Sequence, residues 1–272
     1  MESTVTNEMQ WRLTQWAKLQ ASPNWPEVEP IEIRGLDLYS GAAGVYRDAK
    51  RTSAIIPNGI SVSILNTAGN YTDEITDDRL IYSYPNTLRK GQDEPEIQSL
   101  KNAMVLQMPI FVISETPSGR RSVRLGWVEG CEDSAQCILV KLDKQPEALV
   151  HPELLIAQEF HAKEPKKVKA IEVKARERDP LFKFNAMTLY KGKCALTDVS
   201  VERMLEAAHV VPVAENGTDH PLNSLLLNAA VHRAFDAHMW AIEPDTLKLA
   251  VLKAGPSLDK MKITRSSLSH LE

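Results

Sequence analysis

The chain has 272 residues, 43% of them hydrophobic and 25% charged, with a formal net charge of −4. No apolar run approaches the roughly 20 residues that span a bilayer, and Met1 to Gln20 lacks the charged-then-apolar pattern of a signal peptide. The three cysteines, Cys131, Cys137 and Cys194, sit at no ligand-like spacing and give no disulfide framework. A cytoplasmic protein with a sizeable core in one or two domains is expected, with no membrane partner.

In chain order, MQWRLTQWAKLQ sets Trp11 and Leu13 before Trp16 and Leu19, which predicts an amphipathic helix packing on its own domain or on a partner. Short apolar or alternating runs follow, AIIP, ISVSIL, LIYSY, PIFVIS, RSVRLGWV and QCILVKL, each closed by turn residues. They predict a β-rich domain over residues 1–150, with a helix in EPEIQSLKNAMVLQ. The composition then turns charged. PEALVHPELLIAQEF reads as a helix and KEPKKVK as a connector, which makes 151–170 a helical and basic linker before a second domain at 171–272.

A negative net charge is awkward for an enzyme of nucleic acid, because phosphate contacts supply most non-specific affinity. The charge is unevenly spread, however. From His161 to Lys193 ten basic residues stand against four acidic ones, a local excess that reads either as a phosphate-facing surface or as a solvated linker. The cluster Arg120, Arg121 and Arg124 follows a Pro-Ser-Gly turn and reads as a hairpin.

The stretch from Cys194 to Ile242 carries the chemistry. LEAAHVVP reads as a strand that delivers His209 to a polar loop, AENGTDHPLN. The run SLLLNAAVHRAFDAHMW has helical apolar spacing, with Leu227, Ala230 and Ala234 towards a core and His232 on another face. One neutral imidazole can take a proton from water near neutral pH, and a second can hold a divalent cation that offsets charge on a phosphate.

At AAHVVP, the DxPLNSLLL segment and HRAFD the chain resembles the HNH nuclease family, which has a ββα-metal fold. The resemblance implies that His209 is the general base, that Asn223 braces the loop orienting it, and that His232 is a metal ligand. It also implies Mg²⁺ or another divalent cation such as Mn²⁺ or Co²⁺, and products with 5′-phosphate and 3′-hydroxyl ends. Many family members carry an acidic residue or a histidine just before the base. Ala208 stands there in this chain, which leaves the second metal ligand open between Asp236 and Glu206. Zinc-bearing relatives use two CxxC pairs; this chain offers Cys194 with Thr197, and Asn228 near the other pair, so no structural zinc is expected. His220 and His238 match no role.

Residues 35 to 140 resemble the SRA (YDG) domain, a reader of modified cytosine. GNYTDE, the YSYPN strand end, the KNA helix and the PIFVIS strand carry the resemblance, while the family's glycine-rich stretch after the second tyrosine is replaced by PNTLRKGQDEP. A modified base is read most fully when it is swung out of the stack, with rings on its faces and polar groups on its edge. The resemblance makes Tyr71 and Tyr84 the faces, and Asp73 or Glu74 the acceptor from the exocyclic amine. Sheet packing for Tyr82 and Tyr84, and a solvated turn for Asp73 and Glu74, are the alternatives.

The expected fold class is therefore α+β: an N-terminal SRA-like barrel of the PUA superfamily and a C-terminal ββα-metal HNH domain. The expected function is a modification-dependent restriction endonuclease acting on double-stranded DNA that carries 5-methyl- or 5-hydroxymethylcytosine, in defence against modified phage DNA. One HNH site handles one strand, so a double-strand break calls for a homodimer or for successive nicks. Two other readings stay open: a module that binds modified DNA without cutting it, and an HNH effector whose front domain senses a different ligand.

Overall fold

The computed structural model describes residues 4–41, 44–66, 74–87, 91–147, 149–150, 160–163 and 179–268. Most of the expected helix over PEALVHPELLIAQEF and nearly all of the connector KEPKKVK fall outside them, as do Tyr71 and Asp73. Two compact units divide the chain: Met1–Cys131 with Cys137–Val150, and Glu132–Gln136 with His151–Glu272.

The first unit opens with α1 (Val5–Gln20), N-capped by the Thr4 hydroxyl, which accepts from the Asn7 N–H. There follow β1 (Glu27–Val28), α2 (Pro30–Gly35), β2 (Val45–Arg47), α3 (Ala49–Thr52), β3 (Ser61–Asn66), β4 (Glu74–Ile75) and β5 (Arg79–Ser83). The unit continues with α4 (Asp93–Val105), β6 (Ile110–Glu115), β7 (Arg121–Glu132) and β8 (Cys137–Leu142). The eight strands form one sheet in the order β2-β3-β6-β7-β8-β5-β4, with β1 beside β7. β3 and β6 run parallel, which requires a long crossover, here the segment carrying β4, β5 and α4.

Side-chain alternation gives this sheet two apolar faces. Ile110 and Val112 of β6 face one cluster, while Phe111 and Ile113 face the other. The first cluster joins Val45 of β2 to Leu80 and Tyr82 of β5, near opposite ends of the strand path, with Leu100 and Ala103 of α4 filling it. A Cβ added at Gly44, just before β2, would lie 2.9 Å from Tyr82 Oη. The sheet therefore wraps around this core as a barrel does. Gly126 on β7 faces inward, and a Cβ there would stand 2.7 Å from Val140 and 2.8 Å from Val112, so only glycine fits.

Two elements differ from the sequence expectation. AIIP is a turn rather than a strand, with the Ile55 and Ile56 N–H groups on the Thr52 carbonyl and Asn58 at φ 66°. Helix α1 buries a polar stripe, Glu8, Arg12 and Gln15 with Leu19, while Leu13 is exposed. The cause lies in the strand ends beneath it. Arg12 Nη1 donates to the carbonyls of Ser61 (2.7 Å) and Pro109 (2.6 Å), and its Nε pairs with Glu8 at 2.8 Å. Burial lowers the Arg12 pKa to about 10, which leaves it charged at neutral pH. Arg51 closes the group, ion-paired to Glu8 and stacked 3.3 Å over Trp11.

The second unit contains α5 (Pro180–Leu189), β9 (Leu205–His209), β10 (Ser224–Asn228), α6 (Ala229–Asp236), β11 (Trp240–Ile242) and β12 (Leu249–Val251). β9 and β10 form an antiparallel pair and α6 follows directly, a ββα arrangement. The chain is thus a mixed α+β protein with one large sheet. Among the described residues no helix is long and apolar enough to cross a membrane.

Candidate active site

The β9–β10 pair is held in register by burial. Leu205 and Ala208 of β9 and every residue of β10 are buried, and Ser224 stands opposite His209 while Leu227 stands opposite Glu206. Asn228 ends β10 and caps α6, its Oδ1 accepting from Ala230 and Val231 N–H at 3.1 Å each. The helix therefore begins two residues beyond Leu227. Leu227 is a strand residue, Ala230 is exposed, and His232 is buried with Val231, which corrects the helical register read from the sequence. Trp240 buttresses α6, donating from Nε1 to the Val231 carbonyl at 3.2 Å.

Asn223 is 1% exposed and sits at the base of the loop between the strands. Its Oδ1 accepts from Val211 N–H (2.8 Å), and its Nδ2 donates to the carbonyls of Val211 (3.1 Å) and Thr218 (2.8 Å). Both ends of the loop are thereby tied to one side chain. Inside the loop, Asn216 adopts φ 64°, and a Cβ at Gly217 would lie 1.8 Å from the Val211 carbonyl oxygen, so only glycine passes there.

His209 ends β9 at the mouth of this loop. Its Nε2 lies 2.9 Å from Asp219 Oδ1, and since a carboxylate only accepts, Nε2 is the donor of this contact, which in a neutral ring leaves the lone pair on Nδ1. Beneath the ring lies Phe182 of α5, stacked with centroids 3.9 Å apart and planes within 9°. Neither residue follows from the sequence pattern alone. Asp219 is visible only as the first residue of the DxPLN motif, and Phe182 precedes the motif with no spacing signal.

His232, 5% exposed, projects from α6 between two carboxylates: its Nδ1 is 2.7 Å from Glu206 Oε2, and its Nε2 is 3.5 Å from Asp236 Oδ2. Among the described residues no set of three His, Cys, Asp or Glu side chains is arranged around a common point. Divalent cations take imidazole nitrogens and carboxylate oxygens as ligands. The imidazole and carboxylate donors fit such an ion. Ala208, 1% exposed, offers no donor.

The Cys194 region is closed by hydrogen bonds. Asn228 donates from its N–H to Cys194 Sγ (3.3 Å) and from Nδ2 to Thr197 Oγ1 (3.0 Å), and Arg265 Nη1 clamps the Thr197 carbonyl at 2.7 Å. Of the basic run, Lys183 is buried and paired with Glu202 at 3.1 Å, which removes it from any phosphate-facing surface; Lys166 to Arg178 lie outside the described residues. Arg120, Arg121 and Arg124 are ion-paired to Glu29, Glu115 and Asp143. His220 accepts from Leu222 N–H at 3.2 Å, and His238 is exposed at φ 55°.

In the first unit, Tyr84 is 8% exposed and packs in the inner cluster with Tyr82, with Lys101 Nζ 5.9 Å from its ring centroid. Glu74 begins β4 opposite Ile81, three residues before Tyr84.

Residues 194–243 match the family described as HNH endonuclease. No curated protein matches the chain. Among solved structures, the chain is similar to a modification-dependent TagI restriction endonuclease, at 17% identity over 93% of this chain and 97% of that one, with a TM-score of 0.32. It is also similar to the SUVH5 SRA domain in complex with hemi-methylated CG DNA, at 20% identity over 44% of this chain and 86% of that one, TM-score 0.30. The same domain bound to fully hydroxymethylated CG DNA gives 22% identity over 46% and 95%, TM-score 0.30. The family match coincides with the ββα arrangement that carries His209, Asn223 and His232. The second unit thus contains an HNH endonuclease domain over residues 194–243, the module of a metal-dependent DNA endonuclease.

Proposed function

We propose that the protein is a modification-dependent DNA endonuclease, in which the first unit reads a modified cytosine and the HNH domain cuts a phosphodiester bond nearby. The observation that carries the cutting half is the His209 imidazole, held by Asp219 through Nε2 so that Nδ1 is free to take a proton. In this reading Nδ1 removes a proton from the attacking water. Asn223 keeps the loop of Asp219 in place, and Asp219 stabilises the imidazolium as it forms. His232, with Glu206 or Asp236, would hold the cation, which supplies charge neutralisation at the scissile phosphate when bound.

The reading half rests on the resemblance of residues 35 to 140 to SRA domains and on a sheet that wraps around one core. The base would be 5-methyl- or 5-hydroxymethylcytosine, flipped from the duplex onto Tyr71 and Tyr84 with Asp73 or Glu74 at its edge. Each HNH site cuts one strand, so two copies or two successive nicks would complete a break.

The deciding experiment compares cleavage of unmodified, methylated and hydroxymethylated versions of one duplex with Mg²⁺, Mn²⁺ or Co²⁺. Cutting confined to modified duplexes and abolished by excess EDTA is the expected result. Equal cutting of all three would remove the reader, and binding without cutting under every cation would leave a recognition module.

A further inference from the structure

We propose that residues 160–163 form a strap that positions the catalytic base, acting on the HNH loop through Thr218. The inference rests on the endonuclease reading and deepens it by adding a positioning residue and a segment that lies outside the family match at 194–243. In chain order the strap stands between Val150, where the first unit ends, and α5. The first described residues after Val150 already lie on the catalytic loop.

The strap contacts bracket Asp219. Lys163 stands opposite Gly217 in an antiparallel bridge, and the Ala162 carbonyl accepts from the Thr218 N–H at 3.3 Å. The Thr218 hydroxyl donates to the His161 carbonyl at 2.9 Å. On the other side of Asp219, the Phe160 ring lies 5.1 Å from the imidazole of His220, tilted by 45°. Lys163 and Glu215 add an ion pair of 3.4 Å, but both side chains are more than half exposed, so it contributes little.

Thr218 is where the ties converge. Its carbonyl accepts from Asn223 Nδ2 at 2.8 Å, so its N–H, hydroxyl and carbonyl are all engaged. One bond to the carbonyl leaves the peptide able to pivot about it; three bonds in different directions remove that freedom. The Asp219 side chain is 40% exposed, so the backbone, more than packing, sets the aim of its carboxylate at His209 Nε2. Gly217 presses on the Val211 carbonyl with no room for a side chain, which sandwiches the loop between the chain leaving β9 and the strap. Thr218 thus acts through Asp219 on the base, and the strap supplies two of its three bonds.

The test compares the full chain with Thr218→Val, which keeps the branched shape and removes the hydroxyl, and with Thr218→Ser, which keeps the hydroxyl. Single-turnover cleavage of a methylated duplex is read beside affinity for the same duplex without metal. Thr218→Val should cut about 2- to 10-fold more slowly, the worth of one hydrogen bond at the barrier, with affinity and circular dichroism unchanged. Thr218→Ser should restore the rate. Phe160→Ala should slow cutting from the strap side, and its effect combined with Thr218→Val should be less than the product of the two, because both act through one strap. The original rate in Thr218→Val, or a loss that Thr218→Ser does not restore, would remove Thr218 from this role, and fully multiplicative effects in the double variant would remove the strap. A fall in DNA affinity matching the fall in rate would make Thr218 a DNA contact and overturn the inference while leaving the endonuclease standing. If the unmutated chain cuts no duplex under any cation, the endonuclease reading itself fails and this inference with it.

Discussion

The imidazole of His209 lies flat on the ring of Phe182, centroids 3.9 Å apart and planes within 9°. The stack fixes the ring plane, and the Asp219 contact at 2.9 Å fixes rotation within it. Phe182 is 5% exposed, so truncation to alanine would cost about 3–5 kcal/mol and confuse folding with function. Phe182→Leu keeps most of the apolar volume but removes the flat face. It should lower the single-turnover cleavage rate with DNA affinity unchanged, and a leucine variant that cuts at the original rate would show the stack to be simple packing.

His209→Ala should remove about 10²–10⁴-fold of cleavage while DNA binding persists, as expected when a general base is lost. Asp219→Asn should give a smaller loss, because the ring remains but its proton partner is neutral. Rates from nicking assays on one modified duplex, set against gel-shift affinities, check both variants. Equal rates for Asp219→Asn and the unmutated chain would remove Asp219 from the site.

Asn223→Ala breaks three part-buried hydrogen bonds to Val211 and Thr218. At about 0.5–1.5 kcal/mol each, the second unit should lose roughly 1.5–4.5 kcal/mol, read as an earlier urea midpoint. Cleavage should fall under conditions where circular dichroism still reports a folded chain, because the loop that presents Asp219 is released at both ends.

On the reading side, Tyr71→Ala should remove a stacking contact worth roughly 1–3 kcal/mol. Affinity for modified DNA should then drop about 5- to 150-fold, with unmodified DNA little affected, since phosphate contacts dominate there. Fluorescence anisotropy with paired duplexes measures this directly. Equal losses on both duplexes would mark a general DNA contact and remove the pocket assignment. Tyr84 needs a gentler change, because its ring is part of the inner cluster.

Glu32 makes a pH prediction. The Ser22 hydroxyl, the Glu29 N–H and the Asn24 amide all donate to it, which holds its carboxyl below its ordinary 4.5. A depressed folded pKa adds stability that is fully present above about 4.5 and is lost as pH falls through the folded value. Glu32→Gln should therefore unfold earlier in urea at neutral pH, and the gap to the unmutated chain should shrink below pH 4.5. A gap that stays constant with pH would show these bonds to be indifferent to charge.

Sequence by itself determined the HNH strand, loop and helix, because that unit is local. The Asn223 side chain reaches partners within twelve residues, the Asn228 side chain caps the next turn, and Asp219 is ten residues from His209. Turn chemistry and short-range capping write themselves into spacing. Five of the sheet's eight strands, β3, β5, β6, β7 and β8, were legible in short apolar runs, whereas the two- and three-residue strands β1, β2 and β4 were not, and the AIIP turn was misread because four apolar residues carry no period that separates strand from turn. Tertiary structure decided which polar groups are satisfied at a distance. Arg12 finds carbonyls 49 and 97 residues away, His232 finds Glu206 26 residues back, Asn228 finds Cys194 34 residues back, and Phe182 comes from another helix to lie under His209. A buried charge or ring nitrogen demands a partner, but the demand does not specify where along the chain the partner lies. Only the packing of β9, β10, α5 and α6 brings those donors and acceptors together.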